Sequence, residues 1–187
     1  MPTVRATMSR LPHIQIEEHI YYITTVVYDR LPLFTSPSFI TPVLDSLNLY
    51  RYQHPSYLLG YVIMPDHIHL LIWLQGKTVL ADLMRDFKKF TAVRLIRQAK
   101  AEQRQEWLAA FAQAGQETGR SQHKVWQDDY WDKIVYTEKF LRQKLNYIHR
   151  NPCRAGLVDD PGEYPYSSYR NYVYDDDSLI VVDRNWY

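Results

Sequence analysis

The sequence predicts an α+β fold in the ferredoxin-like order β-α-β-β-α-β: an antiparallel sheet with helices packed on it and one appended C-terminal helix that carries a tyrosine. Three observations support it. Two strand-like runs are separated by only Pro65-Asp66, which requires antiparallel neighbours. Three stretches carry apolar residues at helical spacing, and strand-like runs alternate with them.

The elements follow in order. Residues 20–28, IYYITTVVY, are β-branched and aromatic and read as a strand. Leu31-Pro32 and Ser36-Pro37 break it, and residues 42–50 follow with Val43, Leu44, Leu47 and Tyr50 at helical spacing. Strands over 57–64 and 67–74 flank the Pro65-Asp66 break. Beyond Gly76, Thr78 is the expected N-cap of a long helix with Leu80, Leu83, Phe87 and Phe90 on its apolar face, running to Lys100 or beyond. Residues 101–124, rich in Gln, Ala, Gly and Ser, are expected to finish that helix and then loop. The apolar run 131–135 reads as a fourth strand, with Trp131 assigned to core packing. Thr137 is expected to cap a last helix that stops at Asn151-Pro152, because a residue before proline avoids the α region.

The 187 residues suit one domain spanning the chain, with a core over about 20–172, an insertion at 101–124 and an acidic tail at 173–187. Apolar residues make up 46% and no run reaches the roughly 18 that a membrane helix needs, so a membrane protein is excluded. Cys153 stands alone and cannot form an internal disulfide, and the first residues lack the apolar core of a secretory leader. A cytoplasmic location is the expectation.

The net charge of +1 conceals an asymmetry. Residues 159–187 hold seven acids against Arg170 and Arg184, a balance of −5, which leaves +6 on the rest. Seven cations fall between residues 82 and 104 against three acids, so that helix is a candidate phosphate-facing surface. The acidic end is expected to be a mobile segment that competes with DNA for the basic groove, so that deleting residues 173–187 tightens binding.

Two constellations carry chemistry. In the run 67–74, strand alternation places His67, His69, Leu71 and Trp73 on one face and Ile68, Leu70 and Ile72 on the other. Both imidazoles therefore point the same way, as neutral ligands of one divalent ion require, and Asp66 is placed to fix a tautomer. On the helix over 138–150, Tyr147 shares a polar face with Gln143, Lys144, Arg150 and Asn151, while Leu141, Leu145 and Ile148 turn to the core. A phenol becomes a nucleophile at neutral pH only beside a metal or positive charge. The Asn151 carbonyl is a hard ligand suited to Mg²⁺ or Mn²⁺.

In combination, MPDHIHLLIWL, DLMRDFKKFTA, VWQDDYWDKIV and YIHRNPCRAGLVDDPGEYPYSSYRNY resemble the single-tyrosine HUH transposases, and within them the REP-associated tyrosine transposases. HUH denotes two histidines around a hydrophobic residue. The opening ITTVVYDRLPLF is similar to that family's first strand and loop, and the likeness covers about residues 20–172. It implies a metal pair at His67 and His69, a third ligand at Asn151 and a nucleophile at Tyr147. It further implies Mg²⁺- or Mn²⁺-dependent cleavage and rejoining of single-stranded DNA that carries hairpin or palindromic elements, through a 5′-phosphotyrosine. Arg85, Lys88, Lys89 and Lys144 are the expected backbone contacts, Trp126 and Tyr130 the expected base contacts, and base stacking is the alternative to core packing for Trp131. Relatives act as homodimers or as monomers, and both states stay open. A non-catalytic or domesticated binder of structured single strands is the alternative. A zinc hydrolase is weaker, since two histidines and an amide fall short of the usual ligand set.

Overall fold

The computed structural model describes residues 19–119 and 121–186; the N-terminal stretch read for a leader and the final residue lie outside them. Four strands, β1 (Ile20–Val26), β2 (Ser56–Ile63), β3 (His67–Leu74) and β4 (Trp131–Val135), form one antiparallel sheet in the order β2-β3-β1-β4. That is the α+β arrangement expected from the sequence. Successive side chains of the two central strands point to opposite faces, so each face has its own apolar cluster. Tyr21, Ile23, Ile68, Leu70 and Ile72 pack under helices α1 (Pro37–Gln53) and α2 (Leu80–Ala101). Tyr22, Leu59 and Leu71 pack under α4 (Glu138–Arg154) through Leu141 and Ile148. Helix α3 (Gln105–Thr118) and the short α5 (Tyr169–Val173) complete the set.

Four boundaries differ from expectation. Helix α1 begins at Pro37 and contains Pro42; burial of Phe39, Ile40, Val43, Leu44 and Leu47 offsets an internal proline that costs about 3 kcal/mol. Thr78 does not cap α2: its hydroxyl donates to the Pro55 carbonyl at 3.1 Å, and Val79 is the capping residue. Residues 105–118 form a separate helix instead of a loop, because Phe111 and Ala114 are buried and Trp107 packs edge-on against Phe39. It ends at Gly119, whose φ of 63° is the left-handed turn that glycine adopts freely. Helix α4, capped as expected by Thr137 accepting from the Phe140 N–H, continues through Pro152 to Arg154. Asn151 and Pro152 are both buried there, so packing outweighs the local preference of the pre-proline residue.

The acidic end, expected as a mobile segment, is packed on the fold. Strand β2 is a sheet edge, and the segment after α4 covers it. Ser168 N–H donates to Tyr61 O, Ile63 N–H to Tyr166 O, and Asp183 N–H to Leu58 O, all at 2.8–2.9 Å. Ile180 and Val182 enter the main core. The acids are held by arginines of the same chain: Asp183 by Arg51, Asp176 by Arg170, and Asp175 and Asp177 by Arg184. An exposed strand edge invites pairing with other chains, and this cover blocks that. Ile180→Ala is therefore expected to lower the unfolding free energy by roughly 2–4 kcal/mol in a urea titration. A loss below about 0.5 kcal/mol, the range of ordinary surface changes, would mean that the tail contributes no core.

Candidate functional site

Strand β3 brings His67 and His69 to the α4 face of the sheet, opposite Val26 and Thr24 of β1. Their rings stand 4.8 Å apart between centroids, edge to face. Asp66 at the tight turn accepts from His67 Nδ1 at 2.5 Å and from Arg30 at 3.0 Å. Burial opposes ionisation of Asp66, but these bonds more than offset it and hold the carboxyl below its usual range. The Nδ1 of His69 meets two hydroxyls, Tyr22 at 2.9 Å and Thr24 at 2.8 Å. With both Nδ1 atoms engaged, the two Nε2 atoms remain, on neighbouring rings of one face. Burial, with smaller contributions from His67 and Lys144, pulls His69 down to about 3, so it stays neutral as a ligand must.

Tyr147 reaches this pair from α4. Its ring lies 5.5 Å from that of His69 and 6.2 Å from that of Tyr22, both edge to face. Lys144 sits 4.4 Å above the Tyr22 ring and 5.7 Å from that of Tyr147, and Arg154 flanks Tyr147 from the other side at 5.2 Å. Residues 140, 144, 147, 151 and 154 repeat every three or four positions and so form one stripe along the helix. Asn151 lies on it one turn beyond Tyr147, buried, and its amide makes no hydrogen bond among the described residues. No third His, Cys, Asp or Glu among those residues joins the histidine pair. Two imidazoles on β3 and, on the Tyr147 stripe of α4, one unengaged amide are donor types that fit a hard divalent ion completed by water and phosphate oxygens.

Of the expected DNA contacts, the structure brings only Lys144 to this place. Arg85, Lys88 and Lys89 sit on α2, which packs on the opposite face of the sheet. Half-buried Lys88 donates to the carbonyls of Gln127, Asp128 and Asp129, and burial pulls it down to about 8, so it serves as a strut to that loop. Arg85 pairs with Asp82 and Asp86. Trp126 is core: its indole N–H donates to Thr91 at 2.9 Å and its ring packs against Phe34 and Phe87. Tyr130 packs against the same core, and burial raises its phenol. Trp131, expected in the core, is exposed beside Tyr22. Sequence reasoning missed Tyr22, Thr24, Lys133 and Arg154. Strand alternation in β1 and the stripe through Tyr147 were the signals that could have found them.

An antiparallel sheet that presents two histidines to a tyrosine on a flanking helix is the frame of a tyrosine transposase. The chain belongs to the family of IS200-like transposases, whose model matches residues 15–151 and so takes in both histidines, Tyr147 and Asn151. It is similar to a Haemophilus influenzae protein whose name places it among the REP-associated tyrosine transposases, with 28% identity over 158 residues that make up 82% of this chain and 81% of the relative. It is 21% identical over 123 residues to the REP-associated tyrosine transposase of Escherichia coli K12, covering 65% of this chain and 59% of the relative. The fold matches the solved structure of a REP-associated tyrosine transposase bound to a REP hairpin with a TM-score of 0.67 at 17% identity, over 96% and 95% of the two chains. The family likeness carried by the four sequence blocks is borne out. Among the described residues, no helix is long and apolar enough to cross a membrane.

A further buried histidine fastens the tyrosine helix. His149 Nε2 lies 2.9 Å from the Ser168 hydroxyl, which itself accepts from Tyr61 N–H of β2. Burial pulls His149 down to about 4, below its unfolded value of about 6.5. The unfolded chain thus binds a proton there that the folded chain refuses, and stability should fall as pH drops from 6.5 towards 4. His149 alone should contribute a loss of roughly 3 kcal/mol at most. Denaturant titrations across that range, with the His149 ring followed by NMR, check this; a ring that titrates near 6.5 in the folded protein would contradict it.

Proposed function

We propose that this transposase cleaves and rejoins single-stranded DNA through Tyr147, at a phosphate held against His67 and His69. The edge-to-face approach of the Tyr147 ring to His69 at 5.5 Å, on a helix stripe flanked by Lys144 and Arg154, is the observation that carries the reading.

His67 and His69 would hold Mg²⁺ or Mn²⁺ through Nε2, with the Asn151 carbonyl as an oxygen donor. Such an ion, when bound, polarises a phosphate oxygen and spreads the charge of the transition state. Asp66 orients His67, and the Tyr22 and Thr24 hydroxyls orient His69, so neither ring has to reorganise on binding. Lys144 and Arg154 balance phosphate charge on either side of the phenol. Tyr147 Oη forms a bond to phosphorus as the bond from phosphorus to the 3′ oxygen breaks. The phenol loses its proton and the departing oxygen leaves as a 3′-hydroxyl. The 5′-phosphotyrosyl ester keeps the energy of the broken bond, so another 3′-hydroxyl can reverse the step on a new strand without ATP.

Tyr147 faces the histidines of its own chain, which supports a cleavage site complete within one monomer. The solved neighbour bound to a REP hairpin supports a hairpin-bearing strand as substrate.

Tyr147→Phe is expected to abolish the covalent protein–DNA adduct that survives denaturing electrophoresis when a hairpin-tailed strand is incubated with Mn²⁺. An undiminished adduct would remove Tyr147 from its role. Binding without any adduct from the unaltered chain, under every divalent ion, would favour a non-catalytic binder. Asp66→Asn should raise the Mn²⁺ concentration for half-maximal nicking by about 10- to 100-fold, with little change in the saturated rate; an unchanged Mn²⁺ titration would mean that Asp66 does not support a ligand.

A further inference from the structure

One ring removed from Tyr147, across Tyr22, stands an aromatic side chain that the cleavage chemistry does not use. Trp131 opens β4 with 47% of its surface exposed. It shares a face of β4 with Lys133, since alternate residues of a strand point the same way. That face is the one turned to α4, because Lys133 lies opposite Tyr22 and Trp131 opposite Thr24 in the β1–β4 register. The Trp131 ring meets Tyr22 edge to face at 5.6 Å, and Tyr22 in turn touches both His69 and Tyr147.

Cations border this aromatic group. Lys144 stands 5.8 Å from Trp131 and 5.3 Å from Phe140, and Lys133 stands 5.2 Å from Phe140. Among the described residues neither lysine forms an ion pair with a carboxylate. A lysine over a ring keeps its charge available to an incoming anion. The surface thus alternates ring and cation, with Trp131 the exposed ring and Phe140 and Tyr147 half-buried along the α4 stripe. An unpaired nucleic-acid strand has the matching alternation of base face and phosphate.

We propose that Trp131 is the stacking platform for an unpaired base next to the cleaved phosphate, with Lys133 and Lys144 holding the phosphates that flank that base. The inference rests on the assignment of Tyr147 as the place of cleavage. It adds where the single strand runs: over the β4 edge and the N-terminal half of α4, away from the basic face of α2. Every base has a π-face, so this platform supplies affinity and position while tolerating sequence.

The test uses the full chain with Tyr147→Phe as background, so that binding is read without chemistry. Trp131→Ala should weaken binding of a hairpin with an unpaired tail by about tenfold or more, and Trp131→Phe should recover most of the loss. Lys133→Gln should lower the slope of log affinity against log salt by about 0.7. With 5-iodouridine placed singly along the tail, irradiation should cross-link the base adjoining the cleaved phosphate to Trp131. Unchanged affinity in Trp131→Ala, or cross-links confined to α2, would overturn the platform. An adduct that persists in Tyr147→Phe, together with weakened binding in Trp131→Ala, would remove the nucleophile and leave the platform standing.

Discussion

The two-residue period of β3 is the constraint on which the rest of the site depends. Ile68, Leu70 and Ile72 are fully or almost fully buried under α1 and α2, and that burial fixes the strand's facing. A slip of one residue would turn His67 and His69 into the core under α1 and α2 and carry the isoleucines to the α4 face. The hydrophobic set on one face therefore holds the imidazoles on the other, at a cost far above anything the histidines themselves supply. The adjoining turn does a second job. Asp66 ends the hairpin and its carboxylate orients His67, so one residue links chain reversal to the histidine's tautomer.

The opposite half of the site depends on how α4 is fastened. Gly60 of β2 leaves room for it: a side-chain carbon there would come within 2.7 Å of the Leu145 methyl. His149 joins α4 to Ser168, and Ser168 is bonded to β2, so the covering segment pins the helix and closes the sheet edge together. The segment that covers β2, Ser168 included, is thus part of the support of Tyr147. Four of the acids after residue 172, Asp175, Asp176, Asp177 and Asp183, are paired with Arg51, Arg170 and Arg184 of the same chain.

The sheet, the facing of the histidines and the position of Tyr147 on a stripe of α4 distinct from that of Leu141 and Ile148 were legible because each rests on a local period: two in β3, three to four in α4. The strand order follows from the same elements once the Pro65-Asp66 reversal is seen. Proline misled twice, at Pro42 and Pro152, because a local penalty of a few kcal/mol is overcome by burial that no short window reveals. The helix over 105–118 was hidden by its Gly and Gln content, although Phe111 and Ala114 bury like any helix face. The partners of His69 were out of reach for another reason. Tyr22 and Thr24 lie 47 and 45 residues away in the chain, and only the β1–β3 register brings them to one nitrogen.

Charge was the least reliable guide, and the structure shows why. Counting cations points to residues 82–104, yet Arg85, Arg94 and Arg104 are paired with carboxylates and Lys88 is engaged by three carbonyls. A cation already matched to a fixed acceptor must break that contact before it can hold a phosphate. Lys133, Lys144 and Arg154 rest instead on aromatic rings, an interaction worth about 0.5–1 kcal/mol at exposed sites, which a phosphate can supplement without displacing. The β4–α4 face is set apart because its cations keep no carboxylate partner among the described residues and converge on Tyr147, and the path proposed for a strand runs there for that reason.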